Sequence, residues 1–293
     1  MYSFFTYIGV PLFLMLSGFL NVYKELSIGH FKSIKRILFS YLMISVITWF
    51  ILAFNGMESW SIRHLVGATF RFSMIGYAWY IEMYIGLFLL IPFLNMIFAE
   101  CTNKKTFLLF LAILFSISIL PEFTNRYGFH FLPDYWTALS MVFYYSLGGY
   151  IRYFHPKTPP LWFSRYQSCW FFVVLLLCSV NSIFSFIIKE EHKFVSILGG
   201  LSSPAAVLLT TILFLSLYQV KHIWGGMIIT GLAVYSLDMY LFSYLFDRLL
   251  YPYAKQLWWI NQSQFFLYYL PITGSVLLFS FSAAWLKKKI FRI

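Results

Sequence analysis

Nine long apolar runs constrain this chain more than any other feature. They lie near residues 2–20, 37–54, 76–98, 106–120, 136–154, 167–188, 203–219, 226–246 and 264–286. A helix that crosses a bilayer needs roughly 17–25 mostly apolar residues. The runs are continuous and do not alternate with period two, which argues against a β-barrel. In hydrocarbon every backbone N–H and C=O must be satisfied within the protein, so such runs fold as helices. Composition closes the soluble alternative: 61% of the 293 residues are hydrophobic and 11% charged, with a mean hydropathy of +0.77. A soluble chain carries about 25% charged residues. The expectation is an all-α, polytopic integral membrane helical bundle of about nine transmembrane helices, forming one domain over residues 1–293.

The net charge is +11. No basic run is interleaved with aromatics on a soluble face, so membrane lipid is the expected partner and nucleic acid is not. Fourteen Lys and Arg fall on alternate loops and the C-terminal tail, among them Lys24, Lys32, Lys35, Arg36, Arg152 and Lys287 to Lys289; seven fall on the other side. That bias predicts a cytoplasmic C-terminus and Met1 on the outer side. Cys101, Cys169 and Cys178 make neither a disulfide framework nor a metal-ligand spacing. No metal is expected. The oligomeric state is open, although Gly148-Gly149 and Gly199-Gly200 suit close helix packing. Residues 60–72 read either as an amphipathic interfacial helix on the outer side, with Trp60, Ile62, Leu65, Val66 and Phe70 in the headgroups, or as a plain connecting loop.

Charge inside a span is costly and marks a candidate site. Glu82 and Asp238 are the two carboxylates placed well inside spans, Asp238 near the midplane. Each is either a proton acceptor, a substrate partner or a bond between neighbouring helices. The six histidines lie in loops or at span edges. Lys32, Lys35 and Arg36 fall side by side at a membrane edge, suited either to the phosphates of a cytosolic cofactor or to lipid phosphates.

Four stretches, in order, resemble the membrane-bound acyltransferase-3 family, the multi-span O-acyltransferases of surface glycans. PLFLMLSGFL at 11–20 resembles the family's VPLFFxxSGYLL segment, and KSIKRILFSYL at 32–42 its basic RxxRIxxPY stretch, with Ser40 in place of the proline. WYIEMYIGLFLLIPFLN at 79–95 resembles the tryptophan–proline helix through Trp79 and Pro92. SLDMYLFSYLFD at 236–247 resembles SFxIYLxH, with Ser243 where many members have histidine. The resemblance implies a ten-helix core in the plasma membrane of a bacterium. Acetyl-CoA would be the donor from the cytosol, and a hydroxyl of an extracytoplasmic polysaccharide or lipid-linked glycan the acceptor.

In that reading Lys32, Lys35, Arg36 and, as a second candidate, Arg152 would bind the cofactor. Trp79, Tyr80 and Tyr240 would bind substrate, and Glu82 and Asp238 would be the catalytic carboxylates. The family's first helix, with its histidine, has no counterpart here, so the chain reads as N-terminally truncated and inactive without that helix. Two alternatives stand beside this reading: a proton-coupled transporter or flippase of a polar lipid or sugar, and an inactive remnant or partner subunit.

Overall fold

The computed structural model describes residues 3–101, 103–126, 129–155, 200–217, 226–258 and 262–291, with isolated positions between 169 and 180. The run 167–188 lies mostly outside them, as do Cys178 and Gly199. The described residues form helices joined by turns, with no strand among them. In chain order these are α1 (Ser3–Asn21), α2 (Ile28–Phe54), α3 (Ile62–Phe70), α4 (Trp79–Glu100), α5 (Lys104–Ser118) and α6 (Leu120–Arg126). A 3-10 turn (Asp134–Leu139), α7 (Ser140–Phe154), α8 (Pro204–Leu217), α9 (Gly226–Ala233), α10 (Ser236–Trp258) and α11 (Gln262–Phe291) follow. Four stretches are long and apolar enough to cross a bilayer: Gly29–Phe54, Trp79–Glu100, Lys104–Asn125 and Leu270–Phe291. Two shorter apolar helices, Ile8–Asn21 and Pro204–Leu217, accompany them.

The chain divides into two compact units, Met1–Leu26 with Leu87–Lys221, and Ser27–Gly86 with His222–Ile293. In the first unit α1 and α7 meet backbone to backbone. A Cβ at Gly148 would overlap the Met15 carbonyl, and one at Gly18 the Tyr145 carbonyl. The small pair read from the sequence at 148–149 therefore packs within the chain. Beside that crossing, buried Asn95 closes three polar valences. Its Nδ2 donates to the carbonyls of Asn21 and Lys24, each at 2.8 Å, and its Oδ1 accepts from the Tyr145 hydroxyl at 2.8 Å. The Asn21 carbonyl at the end of α1 also accepts from Lys24 N at 2.9 Å, so the side chain from α4 braces the turn that closes the helix. Asn95→Leu should lower unfolding stability by about 3 kcal/mol, because each orphaned buried polar group costs roughly 1–3 kcal/mol. Denaturant titration of the detergent-solubilised chain reads this directly. In the same unit Glu122 on α6 accepts from the backbone N–H of Gly200 and from that of Ser202 at 3.0 Å, just ahead of α8.

The second unit is built on a core of Tyr41, Ile44 and Leu52 from α2, Ile75, Ala78 and Ile81 around the start of α4, Leu241, Phe242 and Leu245 from α10, and Ala284 from α11. Ser27 caps α2, its hydroxyl accepting from His30 N at 3.2 Å. Of the two readings of residues 60–72 the helix is the one observed, as α3, and α2 fixes its course. At one end Trp49 Nε1 donates to the Ser59 carbonyl at 3.1 Å and its ring meets the edge of Trp60. At the other, the Tyr41 hydroxyl donates to the Thr69 carbonyl at 2.8 Å and its ring stacks on Phe72 at 4.8 Å. Residues 41 to 49 span about 12 Å of helix. So α3 runs antiparallel alongside α2, down its length rather than across its end.

Phe72 N donates to the Thr69 carbonyl and Ser73 N to that of Ala68, the double bond of a Schellman ending. Its left-handed position is filled by Phe72 at φ 51° instead of glycine. The stack on Tyr41 offsets that strain, which is of order 1–2 kcal/mol for a residue with a Cβ.

The run 226–246 is not one helix. It breaks between Ala233 and Ser236, and α10 continues to Trp258. Asp238 therefore sits in the first turn of α10 rather than midway along a span. A carboxylate there complements the partial positive charge of the exposed N–H groups.

Candidate functional site

Helix α10 carries a set of polar side chains on one face and Asp238 on the opposite face. A residue advances about 100° around a helix, so positions 238 and 240 are about 200° apart. Tyr240, Ser243, Tyr244 and Asp247 follow the spacing i, i+3, i+4, i+7 of a single face. Asp238, Phe242 and Leu245 share the other.

On the first face, tyrosines gather around Tyr77 in the turn that leads into α4. The Tyr77 hydroxyl donates to Asp247 Oδ2 at 2.6 Å. The Tyr240 hydroxyl donates to the Tyr77 carbonyl at 2.9 Å. Ring centroids lie 5.8 Å apart for Tyr77–Tyr240, 5.4 Å for Tyr77–Tyr244, 5.7 Å for Tyr80–Tyr240 and 6.0 Å for Tyr80–Tyr84. Gly76 makes room for this: a Cβ there would come 2.7 Å from Cε2 of Tyr244. The cluster offers aromatic faces, hydroxyls and a carboxylate, the combination that grips a sugar ring by its apolar face and its hydroxyls.

Two of the three residues expected to bind substrate, Tyr80 and Tyr240, belong to this cluster. The third, Trp79, meets Tyr80 edge-on at 6.2 Å. Trp79 and Glu82, one turn apart at the start of α4, are both exposed, while Tyr80 is buried. Asp247 is the residue that sequence reading missed. The apolar run in the sequence stops at Phe246, one residue short of it. The signal was there in the four-residue polar face that Asp247 completes.

On the second face Asp238 accepts from Lys287 Nζ at 2.6 Å, and the same ammonium donates to the Ser40 hydroxyl. The Lys287 side chain is 4% exposed and that of Asp238 17%. The triad ties α2, α10 and α11 together. Lys287, counted from sequence among the tail charges, is turned inward, because the helix continues past it to Phe291. Ser40, at the position of the family's proline, keeps α2 unbroken and supplies the third partner. Asp238 and Tyr240 thus do not converge on one surface, and the carboxylate expected to act on substrate is occupied by an ammonium.

Lys32, Lys35 and Arg36 are exposed and lie at i, i+3, i+4 within the first turns of α2, so they form one ridge. His30, two residues before Lys32, is buried against the edge of the Phe31 ring. Arg152 belongs to the other unit, where its guanidinium lies over Phe19 at 5.0 Å and near Tyr23 at 6.0 Å.

Among known families, the model described as an acyltransferase domain, the acyltransferase-3 group, matches residues 1–285. A helical membrane chain matched over that length defines the class: an integral membrane protein of acyltransferase type. The chain belongs to the acyltransferase-3 family. No curated protein and no solved structure matches it.

Proposed function

We propose that this protein transfers an acetyl group from acetyl-CoA to a hydroxyl of an extracytoplasmic polysaccharide or lipid-linked glycan, in a bacterial plasma membrane with the C-terminus in the cytosol. The family match over residues 1–285 carries the acyl-transfer reading. The ridge at the start of α2 supports the donor. Three exposed cations within two turns, beside the positive end of a helix, fit a ligand with several phosphates. Lys32, Lys35 and Arg36 hold those phosphates in this reading, and Arg152 keeps a packing role over Phe19. The donor supplies a thioester-activated acyl group.

The tyrosine cluster supports the acceptor. Tyr80 and Tyr240, with Trp79 beside them, face the sugar. Asp247 Oδ2 already accepts from Tyr77, and in this reading its other oxygen accepts from an acceptor hydroxyl. This gives Asp247 a better claim than Asp238 on the hydroxyl proton, since Asp238 is neutralised by Lys287. Glu82, exposed beside Trp79, remains a second proton acceptor. The same ion pair occupies Asp238, one of the two carboxylates that motivated the transporter alternative, and leaves Glu82, the other, exposed.

Binding tests the proposal without requiring turnover. Acetyl-CoA titrated against the detergent-solubilised chain should bind, and Lys35→Ala with Arg36→Ala should weaken it by tenfold or more, since charge-assisted phosphate contacts are each worth about 1.5–3 kcal/mol. Absence of binding, or affinity unchanged in the double variant, would overturn the donor assignment.

A further inference from the structure

We propose that α3 is a binding site for the phosphate headgroup of a membrane-embedded amphiphile. The site is an open groove of about 660 Å³ lined by Ser61, Arg63, His64, Gly67, Phe70 and Arg71. Acyl transfer makes no use of it, and the inference does not depend on that reading.

Three observations carry it. The first is charge. Arg63, Gly67 and Arg71 lie at i, i+4, i+8 on one stripe, with His64 beside them. Both arginines are exposed, and among the described residues neither forms an ion pair. Two unneutralised guanidiniums flanking one groove repel each other, and a phosphate relieves that repulsion with bidentate hydrogen bonds.

The second is shape. Helical side chains lean toward the N-terminus. Arg71 does so, and its Nε donates to the Gly67 carbonyl at 3.1 Å. That brings its guanidinium back toward Arg63, over the position where glycine leaves the floor open. A Cβ at Gly67 would already touch the Arg71 terminal nitrogen at 3.6 Å.

The third is the adjoining stripe. Ile62, Val66 and Phe70, again at i, i+4, i+8, are all exposed, Ile62 at 73% and Phe70 at 77%. A basic stripe and a bare apolar stripe side by side match a ligand with an anionic head and a hydrocarbon tail. A water-soluble phosphate would leave the apolar stripe unused. The two rungs to α2 hold the helix rigidly, so the groove is formed before the ligand arrives.

The test uses the full chain in an uncharged detergent with three probes: geranylgeranyl phosphate, phosphatidylglycerol and inorganic phosphate. At least one of the two lipids should bind, and Arg63→Gln with Arg71→Gln should weaken it by about tenfold or more. Arg63→Lys with Arg71→Lys should restore part of the loss. Gly67→Leu, which fills the groove and leaves every charge in place, should also weaken binding. The melting temperature of each ligand-free variant checks that it folds. Preference for geranylgeranyl phosphate supports the proposal with an isoprenoid carrier as the source, and equal binding of both lipids supports it with ordinary bilayer lipid as the source. Inorganic phosphate competing as well as either lipid overturns it. So does undiminished lipid binding in the glutamine pair and in Gly67→Leu.

Discussion

Lys287→Met should destabilise the chain by about 3–5 kcal/mol, the usual cost of removing one partner from a buried ion pair. The substitution keeps the length of the side chain and removes its ammonium. Asp238 is then left as an unpaired carboxylate between α2, α10 and α11, and the Ser40 hydroxyl loses its donor. Pairing Lys287→Met with Asp238→Asn should recover most of the loss, because the expensive state is the lone charge and not the absence of the pair. Denaturant titration in micelles of the two single variants and the double variant yields the coupling energy. Strict additivity would show that the pair contributes no more than its separate parts. The three groups are well shielded from solvent, so added salt should change the result little.

Gly148→Val should cost about 3 kcal/mol, at the upper end of what overpacking does. The introduced Cβ overlaps the Met15 carbonyl, a backbone atom that cannot rotate away as a side-chain tip can. Helices in membranes associate through such close approaches, because lipid leaves little hydrophobic force to drive them together. Gly9→Ala is the matched control: a Cβ there meets nothing within 4 Å. A lowered unfolding midpoint for the first variant and an unchanged one for the second are the expected pair of results.

Much of the architecture was legible because apolar length is a strong signal. Helices α1 and α4 start and stop near the expected edges, whereas α2 begins at Ile28, nine residues ahead of the expected start, and α11 runs on to Phe291, five residues past the expected end. Where edges moved, local physics left little trace in the residue order. The break before α10 falls at Val234-Tyr235, with no glycine or proline to mark it. One span drawn through it puts Asp238 midway along and leaves Asp247 outside, whereas the helix ends place Asp238 in the first turn and Asp247 in the middle of α10. Lys287 opens a run of three lysines, and nothing in such a run says which of them turns inward. The sequence order of α3 announces an amphipathic helix, but its direction along α2 is set by Trp49 and Tyr41, contacts between residues ten to thirty positions apart. The tyrosine cluster was half visible. Tyr80 and Tyr240 stood out through the family's motifs, whereas Tyr77 comes from a turn that no motif covers.

The opposed faces of α10 carry a warning for anyone mapping this protein by substitution. A helix is stiff across its own width of about 10 Å, so a tilt caused by losing the Asp238–Lys287 contact also moves Tyr240 and Asp247. An inactive Asp238 variant would therefore report a lost bearing rather than a lost reagent.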